Sequence, residues 1–239
     1  MTELLYQTDS YLKEFDASIA SVRLAERAVI LDRTAFYPGG GGQPCDFGTL
    51  RIDGVTYPVE KVKKQSEDVF HFLGGDLPLP STGTTAHGTL DWARRYELMR
   101  THTAMHVLCG TVFREYGALV TGGDMEPLKG RMDFEFASMH GELVREIEAA
   151  VNAEAARARE VRVQILPREQ AFQIPDLIRT KINLLPEGIP QVRTVEIVGL
   201  DLQADGGTHV RNTDEVGTIR VVDYKSKGAI NKRIYIELE

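Results

Sequence analysis

Along the first ninety residues, short runs of strand character alternate with turn residues. Ser21–Asp32 reads as a strand, and Gly48–Gly54 with Val55–Val62 reads as a hairpin folded at Asp53-Gly54, a pair suited to a tight two-residue turn. Lys61–Phe72 alternates weakly between polar and apolar, Leu77–Gly83 is rich in turn residues, and Thr84–Leu90 returns to strand character. Short strands at close intervals predict a small β-barrel domain over residues 1–90. After Asp91 the period changes. Trp92–Tyr116 holds no proline and one glycine, and its apolar positions recur at three and four, which predicts a long helix. Ser138–Glu160, rich in Ala, Glu and Arg, predicts a second helix with Ser138 as its N-cap. Strands are expected at Val161–Leu166, Val192–Val198, Gly217–Asp223 and Lys232–Leu238, with a short helix near Arg168–Phe172. Residues 91–239 therefore read as an α+β domain with an antiparallel sheet, following a barrel that ends near residue 90.

Composition narrows the classes. The 239 residues suffice for one large domain or two small ones, and 42% hydrophobic with 26% charged residues is ordinary for a globular chain. No apolar run reaches the roughly 18 residues of a membrane span, and the start Met-Thr-Glu-Leu-Leu-Tyr-Gln is not a secretory leader. Two cysteines, Cys45 and Cys109, form no disulfide framework, so a reducing cytoplasm is expected. A net charge of −7 argues against non-specific nucleic-acid binding, but Arg220–Arg233 gathers five basic residues against one acid.

The candidate chemistry starts on the long helix. His102 and His106 stand at i and i+4, which places two imidazoles on one helix face with Cβ atoms about 5–6 Å apart. Far downstream, Asp205-Gly-Gly-Thr-His209 offers a carboxylate and a third imidazole around two glycines, where backbone turns tightly. Together these residues compose a four-ligand zinc set, with nitrogen ligands at about 2.0–2.1 Å. The segment Arg100–Leu108 lacks the glutamate of HExxH, so metalloprotease chemistry loses its general base. Cys109 shares the helix face, but it lies about 10.5 Å along the axis from His102 and reads as core packing.

Four motifs occur in a fixed order: Pro38-Gly-Gly-Gly-Gly-Gln-Pro44, Thr101-His-Thr-Ala-Met-His106, Gly206-Gly-Thr-His-Val210 and Ser226-Lys-Gly-Ala-Ile-Asn-Lys-Arg233. In this combination, from about residue 20 to 238, the chain resembles the AlaX family of free-standing alanyl-tRNA editing proteins. These are relatives of the editing domain of alanyl-tRNA synthetase and, more distantly, of threonyl-tRNA synthetase. With no aminoacylation domain ahead of residue 1, it resembles the medium-length form that acts in trans.

The resemblance implies a hydrolase that cleaves the aminoacyl ester of tRNA(Ala) mischarged with serine or glycine, at one Zn(2+) ion. The family's metal motif is HxxxH followed by CxxxH; His102, His106 and His209 match, and Asp205 stands where the family has cysteine. Carboxylate oxygen ligates zinc at about 2.0–2.2 Å, so the set stays chemically valid, though harder and less zinc-selective. The ion would activate water and polarise the carbonyl, or hold only the substrate amino group; both readings stand.

Candidate catalytic groups are Thr103, Gln43, Arg131 and Asp133. Thr103 or Thr208 would bond the seryl hydroxyl and so discriminate against alanine, or each would bond only its own backbone. Gly40, Gly41 and Gly42 would bring a backbone loop to the substrate with Gln43 directed at it. Arg131 and Asp133 match an Arg-x-Asp-Phe strand pattern of the family; they would order the site or pair with each other. Lys225, Lys227, Lys232 and Arg233 resemble a phosphate-contacting surface for the tRNA acceptor end. The competing readings are an acceptor-stem-binding module whose metal and catalysis are lost, and a metal hydrolase of another ester.

Overall fold

The computed structural model describes residues 1–179 and 188–239. They form two compact units, Met1–Tyr96 and Glu97–Glu239.

In the first unit β1 (Glu3–Leu4), β2 (Glu14–Arg23), β3 (Ala28–Leu31), β4 (Arg33–Thr34), β5 (Gly48–Ile52), β6 (Val55–Gln65), β7 (Asp68–Leu73) and β8 (Thr85–Leu90) follow in turn. The short β1 and β4 pair in parallel, and the others close into an antiparallel barrel in the order β2-β3-β7-β6-β5-β8. The expected hairpin is present: β5 pairs with β6 across Asp53 and Gly54, both at positive φ, 50° and 79°. The predicted strand Ser21–Asp32 is instead a hairpin. Leu24–Arg27 turns back on itself, with Arg27 in the left-handed region (φ 48°) and Leu24 exposed, so β2 and β3 pair with each other. The alternate residues Phe15, Ala17 and Ile19 of β2 join Val29, Leu31, Leu50, Ile52 and Val59 inside the barrel.

The second unit is α+β. α1 (Trp92–Tyr116), in which the division between the units falls, is followed by β9 (Val120–Glu126), β10 (Lys129–Glu135), α2 (Gly141–Ala155), β11 (Val161–Pro167) and α3 (Arg168–Ala171). Then come β12 (Gln191–Ile197), β13 (Asp201–Ala204), β14 (Ile219–Ser226) and β15 (Asn231–Leu238). Two antiparallel sheets result, ordered β14-β15-β10-β9 and β11-β12-β13. α2 is shorter than predicted: His140, not Ser138, caps it by accepting the Leu143 N–H on Nδ1, and Ala158 at positive φ marks the end of the turn beyond it.

Every residue of α1 from Thr101 to Val112 is buried. Burying an apolar side chain such as Leu98 or Leu108 contributes about 1.5–3 kcal/mol, which sets the helix in the core. Its polar residues must then be satisfied by protein groups. Two glycine positions govern what packs on it. A Cβ on Gly130 of β10 would sit 3.0 Å from the Met105 sulfur. One on Gly110 would come 2.8 Å from the Cβ of Asp201, so the missing side chain admits the β12–β13 turn against the helix.

Candidate metal centre

His102 and His106 face the same side of α1, and the segment after β13 brings Asp205 and His209 to them. One ligand atom from each of the four residues lies within 4.8 Å of all the others. Asp205 Oδ1 is 3.5 Å from His102 Nε2 and 4.0 Å from His106 Nε2, and Asp205 Oδ2 is 3.0 Å from His209 Nε2. Donors held at about 2.0–2.1 Å on tetrahedral axes stand about 3.4 Å apart, inside the span of those separations. The three imidazoles pack at centroid distances of 4.2, 4.8 and 5.1 Å, with Nε2 the atom each turns toward Asp205. Three nitrogens and one carboxylate oxygen, converging in a buried space, fit one divalent cation.

Electrostatics keep the donors ready. Burial holds His102 well below the usual histidine range and lowers His209 to about 4, each helped by the neighbouring histidines against the pull of Asp205. At neutral pH those two rings are uncharged, so each keeps one ring nitrogen without a proton. Burial also opposes a proton on His106, but the Asp201 hydrogen bond and the charges of Asp205 and Asp201 outweigh it and raise its pKa. Burial disfavours charge on Asp205 too, yet the His102 field and the His209 hydrogen bond hold its carboxyl well below the ordinary range.

The second ring nitrogens are tied down. Thr103 Oγ1 lies 3.2 Å from His209 Nδ1 and accepts the Val210 N–H at 3.2 Å. Thr103 has no exposed surface, and its hydroxyl meets the ring of His209. His106 Nδ1 lies 3.1 Å from Asp201 Oδ2. Asp205 is anchored as well as aimed: its Oδ2 accepts the Gly207 N–H at 2.7 Å, its backbone N–H donates to Arg193 O, and its carbonyl accepts Arg193 Nη1 at 2.9 Å. Asp201 and Arg193 were not singled out from the sequence. The available signal was the polar alternation Asp201, Gln203, Asp205, which a strand directs to one face.

The other sequence candidates are spread over both units. Thr208 is fully buried beside His209. Gly40, Gly41, Gly42 and Gln43 form a tight loop in the first unit, where Gly40 and Gln43 exchange backbone hydrogen bonds of 3.0 and 2.9 Å. Gly39 to Gly42 all have positive φ, between 56° and 137°, a run that only glycine sustains. In the same unit, buried Arg95 donates Nε to both oxygens of Asp46, which in turn accepts the Tyr37 N–H at 2.6 Å.

On β10, Arg131 pairs with Asp124 at 3.3 Å and approaches Asp133 at 4.0 Å, whereas Asp133 takes a two-pronged bond from Arg233 at 2.6 and 2.7 Å. The basic stretch is therefore not uniform. Lys232 is buried and its Nζ donates to the carbonyls of Gly228 and Ala229, closing the β14–β15 turn. Lys225 stays exposed with Asp223 at 2.9 Å. Cys109 is core, as expected: buried, with burial pushing its thiol far up and Gln203 Nε2 donating to Sγ at 3.3 Å.

Two family models match the chain, tRNA synthetases class II (A) over residues 7–94 and the threonyl and alanyl tRNA synthetase second additional domain over residues 192–235. The alanyl-tRNA editing protein AlaX-M of Saccharolobus solfataricus is 40% identical over 98% of both chains. The AlaX-M protein of Methanosarcina barkeri is 36% identical over 100% of this chain and 99% of its own. The alanine–tRNA ligase of Ignicoccus hospitalis is 37% identical over 92% of this chain, which corresponds to 24% of the ligase.

Proposed function

The chain belongs to the AlaX-M family of alanyl-tRNA editing proteins, which are deacylating hydrolases, and from that premise we propose that it releases serine, and secondarily glycine, from mischarged tRNA(Ala) at a zinc ion held by His102, His106, Asp205 and His209. The observation that carries the proposal is the convergence of those four donors within 4.8 Å of one another, the three histidines buried and Asp205 partly so.

An aminoacyl ester is already activated, so the protein must place a water and stabilise a tetrahedral oxyanion. When bound, zinc lowers the pKa of water toward about 7 and polarises a carbonyl. The chain's own residues prepare that chemistry. Neutral His102 and His209 offer lone pairs where a protonated ring would repel a cation. Thr103 fixes the ring of His209 from behind, and Arg193 and Gly207 set the direction of Asp205. Exposed Lys225 and nearby Lys227 supply positive charge for the acceptor-end phosphates, which position the tRNA without reading bases.

The test is deacylation of Ser-, Gly- and Ala-tRNA(Ala) by purified protein of measured metal content. Serine release well above the buffer rate, with alanine largely retained, is the expected outcome. No release with zinc supplied rejects the proposal; tRNA binding without metal or turnover favours the binding-module reading.

A further inference from the structure

We propose that Asp201 is a positioning residue of this centre: it selects the tautomer of His106 that carries its proton on Nδ1, leaving the Nε2 lone pair for the cation. The inference rests on the metal reading above. Its ground is the geometry behind the ring. Asp201 Oδ2 lies 3.1 Å from His106 Nδ1, and a carboxylate accepts there, so the ring nitrogen is the donor. With a neutral ring the other nitrogen is then bare, and it is Nε2 that faces Asp205 Oδ1 at 4.0 Å. The opposite tautomer would put a hydrogen into the space that the four donors share. A carboxylate behind a metal-binding histidine acts in this way generally, orienting the ring and raising its basicity.

Asp201 is itself held from three sides. Gln203 Nε2 donates to Oδ2 at 2.6 Å, and the same nitrogen contacts Cys109 Sγ at 3.3 Å. Arg179 Nε donates to Oδ1 at 3.4 Å. The third constraint is steric: the turn bearing Asp201 lies against the bare Cα of Gly110, one helical turn beyond His106 on α1. The Asp201 side chain has no exposed surface, so water cannot replace it as the acceptor.

Two readouts test the assignment without reference to turnover. The first is the tautomer of His106 in metal-free protein, read from ring-nitrogen NMR at alkaline pH where the imidazole is neutral. Wild type is expected to show Nδ1–H, and Asp201→Ala a shift toward Nε2–H. The second is zinc affinity by competition with a chromophoric chelator: Asp201→Ala is expected to weaken it about 10–100-fold, and Asp201→Asn, which keeps an acceptor, to weaken it less. Should the alanine variant not fold, Asp201→Leu, close in size and unable to accept a hydrogen bond, decides by the same two readouts. An unchanged tautomer, or zinc affinity within about twofold of wild type where the stated loss is tenfold or more, overturns the proposal. Wild-type protein that takes up no zinc would sink the metal reading instead, and the tautomer would still decide the role of Asp201.

Discussion

Replacing Thr103 by valine removes one hydroxyl and almost no volume, which isolates what that hydroxyl does. In the fold it accepts the Val210 N–H and meets His209 Nδ1, both at 3.2 Å, in a place with no exposed surface. The variant leaves the Val210 N–H buried and unpaired, at a cost of about 1–3 kcal/mol. For a domain of this size about 1 kcal/mol lowers Tm by roughly 2–4 °C, so a drop of about 3–10 °C is expected by calorimetry of the metal-free protein. The same variant releases the back of His209, and zinc affinity should fall about 10–100-fold. Thr103→Ser keeps the oxygen and should restore both quantities to near wild type. A Thr103→Val protein with unchanged Tm and unchanged zinc affinity would refute the reasoning. So would a serine variant as weak as the valine one.

Other outcomes follow from the same contacts. His71, buried in the barrel, accepts from Thr34 on Nε2 and donates Nδ1–H to Val29 O, and burial lowers its pKa from 6.5 to about 4. Above pH 6.5 folded and unfolded chains both leave it neutral, so it costs nothing there. As pH falls from 6.5 to about 4 the unfolded chain binds the proton first, and stability drops by about 1.4 kcal/mol per unit, near 3 kcal/mol in all. Urea unfolding between neutral pH and about 4.5 should therefore show a flatter decline in His71→Gln than in wild type, and parallel curves would count against this linkage. Asp205→Cys should raise the preference for zinc over manganese by about tenfold or more, a soft thiolate replacing a hard oxygen; an unchanged ratio in competition titrations would remove Asp205 from the ligand set. Lys225→Ala combined with Lys227→Ala should raise KM for tRNA at constant kcat and reduce the log–log salt slope by about 0.7–0.9 per lost phosphate contact. An unaltered slope would place the tRNA elsewhere.

Much of the fold was legible because its signals are local. The helix Trp92–Tyr116 and the turn at Asp53-Gly54 follow from period and turn chemistry alone, and both stand as read. What escaped depends on contacts remote in sequence or on single dihedrals. The turn at Leu24–Arg27 carries no glycine or proline, so the chain from Ser21 to Asp32 reads as continuous although Arg27 bends it back. β13 is four residues long and polar at alternate positions, too short for its period to stand out. At the site, HxxxH and the Asp205-to-His209 segment were visible as spacing, and the structure brings them together. The supports were not visible: Asp201 reaches His106 across 95 positions of sequence, and only a glycine at 110 lets it come close. Lys232 shows the reverse case. A lysine in a basic run reads as surface, but the turn carbonyls of Gly228 and Ala229 take its ammonium inward.

The most direct measurement is serine release from Ser-tRNA(Ala) by metal-stripped protein titrated with zinc, alongside His106→Ala. Activity that returns in proportion to zinc and saturates at one ion per chain, with the variant silent throughout, is the expected result. Full turnover by the stripped protein, or by the variant, would contradict a centre built from these four side chains.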